Sequence, residues 1–129
     1  MRPLRFAALA AALLTLAPPA SAKKQLTYQP TVTVTLTSHS FAPDPIRLAA
    51  GRPVRLVIMN RAGKVHDFTA PRFFRAARMI RGRVPGGAIQ LAAGRGATID
   101  LIPARGNYKL HCDQFGHSLL GMKTRIVVE

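Results

Sequence analysis

Four side chains that can bind a transition metal stand out in this sequence. Cys112, His117 and Met122 follow one another at steps of five residues, and His66 lies far upstream. A thiolate, two imidazoles and a weakly bound thioether form the ligand set of a type 1 copper centre, in which sulfur suits Cu(I) and imidazole tolerates both oxidation states. Zinc fits less well because it prefers four firm nitrogen, sulfur or oxygen ligands. The four residues therefore predict one copper ion that cycles between Cu(I) and Cu(II).

Strands are predicted on both sides of this cluster. Residues 107–112 alternate between apolar and polar types, which places Cys112 on the inward face at the end of a strand. Residues 123–129 are predicted to form the last strand. A turn of four residues before His117 allows this histidine to return toward the cysteine, and a second turn after it brings Met122 back as well.

The first histidine is expected from another part of the chain. His66 follows a predicted loop at residues 60–65. It must be supplied from a distant loop, because three ligands from one hairpin cannot surround a metal. The rest of the chain also predicts short strands separated by turns with glycine or proline, which favours an all-β sandwich of about 100 residues. These strands are predicted at residues 31–37, 46–48, 54–59, 88–91 and 97–102.

One segment departs from the strand pattern. Residues 71–80 begin with proline, which is favoured at the first position of a helix, and then carry apolar side chains on one side. A short helix is predicted there. The same region is the most basic of the chain, with arginines at positions 72, 75, 78, 81 and 83.

The N-terminus is predicted to be an export signal. Residues 1–22 carry Arg2 and Arg5, then a charge-free run rich in Ala and Leu at 6–17, then a small-residue A-x-A site at 20–22. The run of 12 apolar residues is shorter than the roughly 20 that span a bilayer, so no transmembrane anchor is expected. Cleavage after Ala22 leaves a single domain at residues 23–129 with a net charge of +12, located in the periplasm. This length excludes a large multi-domain enzyme.

The chain resembles the cupredoxins, the small blue copper proteins that include plastocyanin, azurin and rusticyanin. The resemblance implies a Greek-key β-sandwich with copper at one end, held by His66, Cys112, His117 and Met122. The long cysteine-to-histidine spacing departs from plastocyanin, and the helical insertion after His66 departs from the smallest members. The matching segments are residues 41–46, 50–54, 60–66, 106–112 and 121–122.

This resemblance implies a periplasmic protein that transfers single electrons and is not an enzyme in its own right. An alternative is a copper carrier or buffer that hands over the ion instead of an electron. A metal-free adhesion or interaction domain is a third possibility. The positive charge favours an acidic redox partner, such as a cytochrome or an oxidase. The protein is expected to act as a monomer.

Two surfaces are predicted to meet that partner. The arginines between residues 72 and 83 would steer it toward an apolar patch around His117, formed by Phe115, Leu119 and Leu120. The alternative is that these arginines only solvate an amphipathic helix. Nucleic acid is not expected as a partner, because the chain is exported and its basic residues lack interleaved aromatic ones.

The remaining polar residues near the cluster have open roles. His111 is expected to face away from Cys112, so it cannot bind the same ion. His39 is either a surface residue or part of a weak second metal site together with His111. Asp67 and Asp113 flank the ligands and either form hydrogen bonds within the ligand loops or face solvent. An asparagine at position 60 is expected to tie the two ligand-bearing loops together.

Overall fold

The computed structural model describes residues 31–114 and 122–129. Within these residues the chain forms ten strands and one short α-helix, with a 3₁₀ turn at Pro85–Gly87. No helix among them is long and apolar enough to span a membrane. In chain order the elements are β1 (Val32–Leu36), β2 (Phe41–Ala42), β3 (Ile46–Leu48), β4 (Val54–Asn60), β5 (His66–Thr69), α1 (Pro71–Ala76), β6 (Arg78–Arg81), β7 (Ala88–Leu91), β8 (Gly96–Ile102), β9 (Gly106–His111) and β10 (Lys123–Val128).

The strands form two five-stranded sheets, which confirms the predicted all-β sandwich. The first sheet has the strand order β2-β1-β4-β8-β6, and the second has the order β3-β10-β9-β5-β7. Most neighbours are antiparallel, but β1 lies parallel to β4 and β10 lies parallel to β3. Both parallel pairs join strands that are distant in sequence, so the chain crosses between the sheets.

The core lies between the sheets and follows the period-two pattern of the strands. In β4, for example, Val54, Leu56 and Ile58 are buried while the residues between them are partly exposed. The same alternation in β9 buries Tyr108 and Leu110. Such alternation is the mark of a strand with one face on the core, and it explains why β1, β4, β9 and β10 were predictable.

The predicted helix forms, but it is shorter than residues 71–80. Helix α1 ends at Ala76, and Ala77 already has an extended backbone. Residues 78–81 instead form β6, an edge strand that pairs with β8. The apolar spacing of these residues was compatible with a helix. Pairing with the edge of β8 gives their backbone N–H and C=O groups hydrogen-bond partners in a strand instead. The phenylalanines of α1, Phe73 and Phe74, pack against the core as predicted for an apolar helix face.

A buried carboxylate lies next to the edge strand β6. Asp100 on β8 is fully buried and accepts two hydrogen bonds from the Arg55 guanidinium on β4, at 2.8 and 3.0 Å. Arg81 on β6 approaches the same carboxylate to 4.0 Å from the other side. The hydrogen bonds from Arg55 hold the pKa of Asp100 below its ordinary value of 3.8, although burial acts in the opposite direction.

Replacing this carboxylate is expected to destabilise the fold. Asp100→Asn removes the charge and places an amide donor against a guanidinium, so we expect a loss of about 1–3 kcal/mol in the free energy of unfolding at neutral pH. Because the pKa of Asp100 is lowered in the folded state, its contribution is complete above the ordinary pKa and is lost as the pH falls through the lowered one. Urea unfolding at a series of pH values should therefore show the difference between wild type and variant shrinking below pH 3.8.

The matched control is Glu129→Gln. Glu129 pairs with Arg47, but both side chains are mostly exposed, at 72 % and 65 %. Such a pair contributes about 0–1 kcal/mol, so the control should unfold almost like the wild type. Equal effects of the two substitutions would contradict a special role for Asp100.

Candidate metal centre

Cys112 lies immediately after β9, at one end of the sandwich and on its inner face. Its side chain is fully buried, as the strand alternation predicted. Its backbone N–H donates a hydrogen bond to the carbonyl of Met122 at 3.2 Å, which extends the β9–β10 ladder by one step. Met122 is also fully buried. The two predicted sulfur ligands are therefore fixed next to each other by the backbone of neighbouring strands.

His66 reaches the same place from another part of the sheet. The imidazole is 1 % exposed, and its Nδ1 lies 3.7 Å from the Sγ of Cys112. The sequence predicted that a loop delivers this histidine, and that prediction was wrong: His66 is the first residue of strand β5, which pairs with β9. All four residues of β5 are buried, so the strand lacks the alternation that would have revealed it.

The separation between these two atoms suits two ligands of one metal ion. Bonds of about 2.0 Å to nitrogen and about 2.3 Å to sulfur are typical of zinc, which like copper is a divalent first-row metal. Two bonds of these lengths span 3.7 Å when the angle at the metal is roughly 115–120°, which lies between tetrahedral and trigonal geometry. The chemistry and separation of this histidine–cysteine pair therefore fit two ligands of a first-row transition metal.

The sulfur atom of Cys112 is buried and accepts hydrogen bonds from backbone N–H groups. Burial raises the pKa of the Cys112 thiol, while hydrogen bonds from the backbone N–H groups of Asp67 and Gln114 lower it by a smaller amount. The N–H of Asp67 lies 3.5 Å from Sγ. Because a metal binds the thiolate and not the thiol, a bound cation would compensate for the cost of deprotonation at this buried position.

Asp67 connects the histidine to the segment that follows the cysteine. Its side chain is buried, and Oδ1 accepts hydrogen bonds from the Thr69 hydroxyl and from the N–H of Asp113, both at 2.8 Å. Its Oδ2 accepts a hydrogen bond from Nε2 of Gln114 at 3.0 Å. Of the two alternatives left open by the sequence, Asp67 thus takes the internal role. Asp113 has an exposed side chain that pairs with Nε2 of His111 at 2.8 Å.

Asn60 braces the loop that leads to His66. Its Nδ2 donates hydrogen bonds to the carbonyls of Lys64 and Leu91 at 2.8 and 2.9 Å, and its Oδ1 accepts one from the N–H of Ala62 at 3.0 Å. The expected tie to the second ligand-bearing loop concerns residues 115–121, which lie outside the described residues. The side chain fastens the histidine loop to the end of β7.

The other sequence predictions differ in their outcome. His111 is partly exposed on the outer face of β9, which is where the alternation placed it. His39 is exposed. The fourth predicted ligand, His117, and the apolar patch of Phe115, Leu119 and Leu120 lie outside the described residues.

We expect Asp67→Ala to lower the affinity of the candidate metal centre for copper without abolishing the fold. The substitution leaves the Asp113 N–H and the Gln114 side chain without their buried acceptor, at a cost of about 1–3 kcal/mol in the free energy of unfolding. Loss of outer hydrogen bonds of this kind typically weakens metal affinity by about 10–100-fold. Competition with a copper chelator should reveal this change.

The conservative variant Asp67→Asn separates positioning from charge. An asparagine oxygen still accepts the Asp113 N–H, and Gln114 satisfies the new amide by turning its own oxygen toward it. Copper affinity should then recover most of the loss. An alanine variant with unchanged affinity would show that these hydrogen bonds do not hold the site.

Comparisons with known proteins agree with this architecture. Auracyanin from the photosynthetic bacterium Roseiflexus castenholzii, solved in a dithionite-reduced form, aligns with a TM-score of 0.54 and 16 % identity over 80 % of this chain and 99 % of its own. Auracyanin B aligns with a TM-score of 0.52 and 21 % identity over 82 % of this chain and 91 % of its own. At these identities the likeness shows the fold alone.

A larger protein contains the same fold as one part. The multicopper oxidase of Campylobacter jejuni, described as a metallo-oxidase, aligns with a TM-score of 0.60 and 10 % identity. The alignment covers 84 % of this chain but only 31 % of that protein. A search of curated proteins found no match. The model of the cupredoxin-like domain family matches residues 6–128, nearly the whole sequence. The chain therefore belongs to the cupredoxin-like domain family.

Proposed function

We propose that this protein is a periplasmic electron carrier with one type 1 copper ion, held by His66, Cys112, His117 and Met122. The observation that carries the proposal is the approach of the buried Cys112 thiol to the buried His66 imidazole, at 3.7 Å. Copper bound there would supply a reversible one-electron couple. No substrate is transformed in this proposal, so the protein is not an enzyme in its own right.

The residues around the site suit electron transfer because they hold its ligands in place. Cys112 is fixed to Met122 by a backbone hydrogen bond, and Asp67 holds the residue that follows Cys112. Ligands that are held in one arrangement change little when an electron arrives or leaves. The Asp67 N–H that points to Sγ is also a means of tuning the redox potential, because hydrogen bonds to the cysteine sulfur act on it.

The burial of the two proposed ligands Cys112 and His66 argues against the alternative of a copper carrier. A carrier must exchange the ion with an acceptor, which needs ligands that the acceptor can reach. Cys112 is fully buried and His66 is 1 % exposed, so direct attack by an acceptor ligand is hindered. Copper loading followed by absorption and electron paramagnetic resonance spectroscopy tests the proposal, and rapid loss of copper to a chelator would favour the carrier instead.

Location and partner are part of the same proposal. The signal-like residues 1–22 support export to the periplasm, where the protein would act as a monomer. A formal net charge of +14 for the whole sequence supports an acidic redox protein, such as a cytochrome or an oxidase, as the partner.

Removing the thiolate should abolish the blue colour. In Cys112→Ser the sulfur-to-copper charge-transfer band is expected to disappear, because serine oxygen cannot give the same covalent bond. The control is His111→Ala, which changes the neighbouring residue on the outer face and should leave the absorption spectrum intact. A full-intensity band in the serine variant would refute the ligand assignment.

The thioether is expected to tune the site more than it holds the metal. Met122→Leu keeps a buried apolar side chain of similar size but removes a donor to Cu(II), so copper should be retained and the redox potential should rise. Copper content and cyclic voltammetry measure the two properties separately. A leucine variant unable to retain copper would show that Met122 is a strong ligand.

A further inference from the structure

A basic groove lies on the outer face of the second sheet, beside the candidate metal centre. It has a volume of about 730 Å³ and is lined mainly by β9, β10 and the segment before β3. Since Leu110, Ile126 and Val128 point into the core, the alternate residues of β9 and β10 point outward into this groove. The cations among its described lining residues are Lys109, Lys123 and Arg125, all exposed. His111, which is partly exposed, also lines it.

The strand register places two of these cations directly opposite each other. Arg125 is the cross-strand partner of Lys109. Lys123 lies opposite His111, next to this pair. Like charges in opposed positions of an antiparallel pair destabilise a sheet. The fold therefore gains nothing from this arrangement, and an anion in the groove would relieve the repulsion.

The acidic residues neutralise the groove only in part. Among the described lining residues Asp44 is the one carboxylate, and it accepts a hydrogen bond from Thr124, so this lining carries a net charge of +2 with histidine counted as neutral. Asp113 at the rim, 2.8 Å from His111, lowers the charge around the groove to +1. The other acidic side chains are engaged elsewhere or at the rim. Asp67 bonds to Thr69 and Asp113, Asp100 to Arg55, Asp113 to His111 and Glu129 to Arg47.

We propose that this groove binds an acidic segment of the redox partner, an inference that rests on the proposed function. Its volume lies within the range of about 300–1,000 Å³ that is typical of binding sites, so carboxylate side chains of a protruding loop can enter it. A flat bilayer would bridge the rim and leave the recess unfilled. The groove is also close to the site: His111 lines it, and the next residue is Cys112.

The second basic region is less suited to the same role. The structure divides the arginines of residues 72–83 between two elements, so they do not share one helical face. Arg72 and Arg75 belong to α1, whereas Arg78 and Arg81 belong to the edge strand β6. One of them, Arg81, already faces the buried carboxylate of Asp100.

The test is a nuclear magnetic resonance titration of the isotopically labelled protein with a poly-glutamate peptide. The largest shifts of backbone amides should occur at residues 109–111 and 123–125. The double variant Lys109→Glu with Lys123→Glu should weaken binding about tenfold at low salt, because two attractions become repulsions. This variant is expected to fold, since both positions are exposed and the new glutamate at position 109 faces Arg125 across the strands.

The matched control is Arg72→Glu with Arg75→Glu, which changes the net charge by the same amount on exposed positions of α1. It should bind the peptide almost as the wild type does. Equal weakening in both variants, or shifts centred on α1 and β6, would overturn the proposal. So would absent peptide binding combined with groove-dependent binding to phosphatidylglycerol vesicles, which would indicate a lipid surface. Each titration is carried out with and without added copper. A failure of peptide binding, which concerns this proposal, is then measured separately from a failure of copper binding, which concerns the proposed function.

Discussion

The hydrogen bonds of the buried Asp67 carboxyl group set the arrangement on which the candidate metal centre depends. A polar group removed from water costs free energy unless its partners are present, and here Thr69, Asp113 and Gln114 supply them. Its neighbour in the chain is one predicted ligand, His66, and its partner Asp113 follows another, Cys112. Satisfying one carboxyl group thus aligns two segments that are 46 residues apart in sequence. The N–H of the same residue faces the sulfur, so a single residue acts on both the position and the electronic surroundings of Cys112.

Much of the fold was predictable because most strands have one buried face. The alternation of β9 was sufficient to predict Cys112 inside and His111 outside, since a shift of one residue would expose Tyr108 and Leu110. The parts that escaped prediction are those where this signal is missing. Strand β5 is buried on both faces, and β6 is an edge strand whose sequence also suits a helix. The pairing that decides both cases comes from distant strands, which local patterns do not contain.

The two sheets treat outward-facing cations in opposite ways. On the first sheet, Arg55 and Arg81 flank Asp100, and the cross-strand charges are compensated within the protein. On the second sheet, Lys109 and Arg125 oppose each other with no carboxylate between them among the described residues. In the first arrangement the charges are paired within the fold. The second leaves a positive field beside the candidate metal centre, where it acts on an approaching charged molecule.

The backbone bond between Cys112 and Met122 fixes the order in which folding and assembly of the site can occur. Cys112 takes its position only when β10 pairs with β9, because its bond to Met122 lies one step beyond the pair of Lys123 with His111. In a chain whose β10 has not yet paired, the thiol of Cys112 is not enclosed and Met122 is not held beside it. Formation of this ladder therefore has to precede assembly of the candidate metal centre, and the thiol stays accessible to oxidants until the ladder forms.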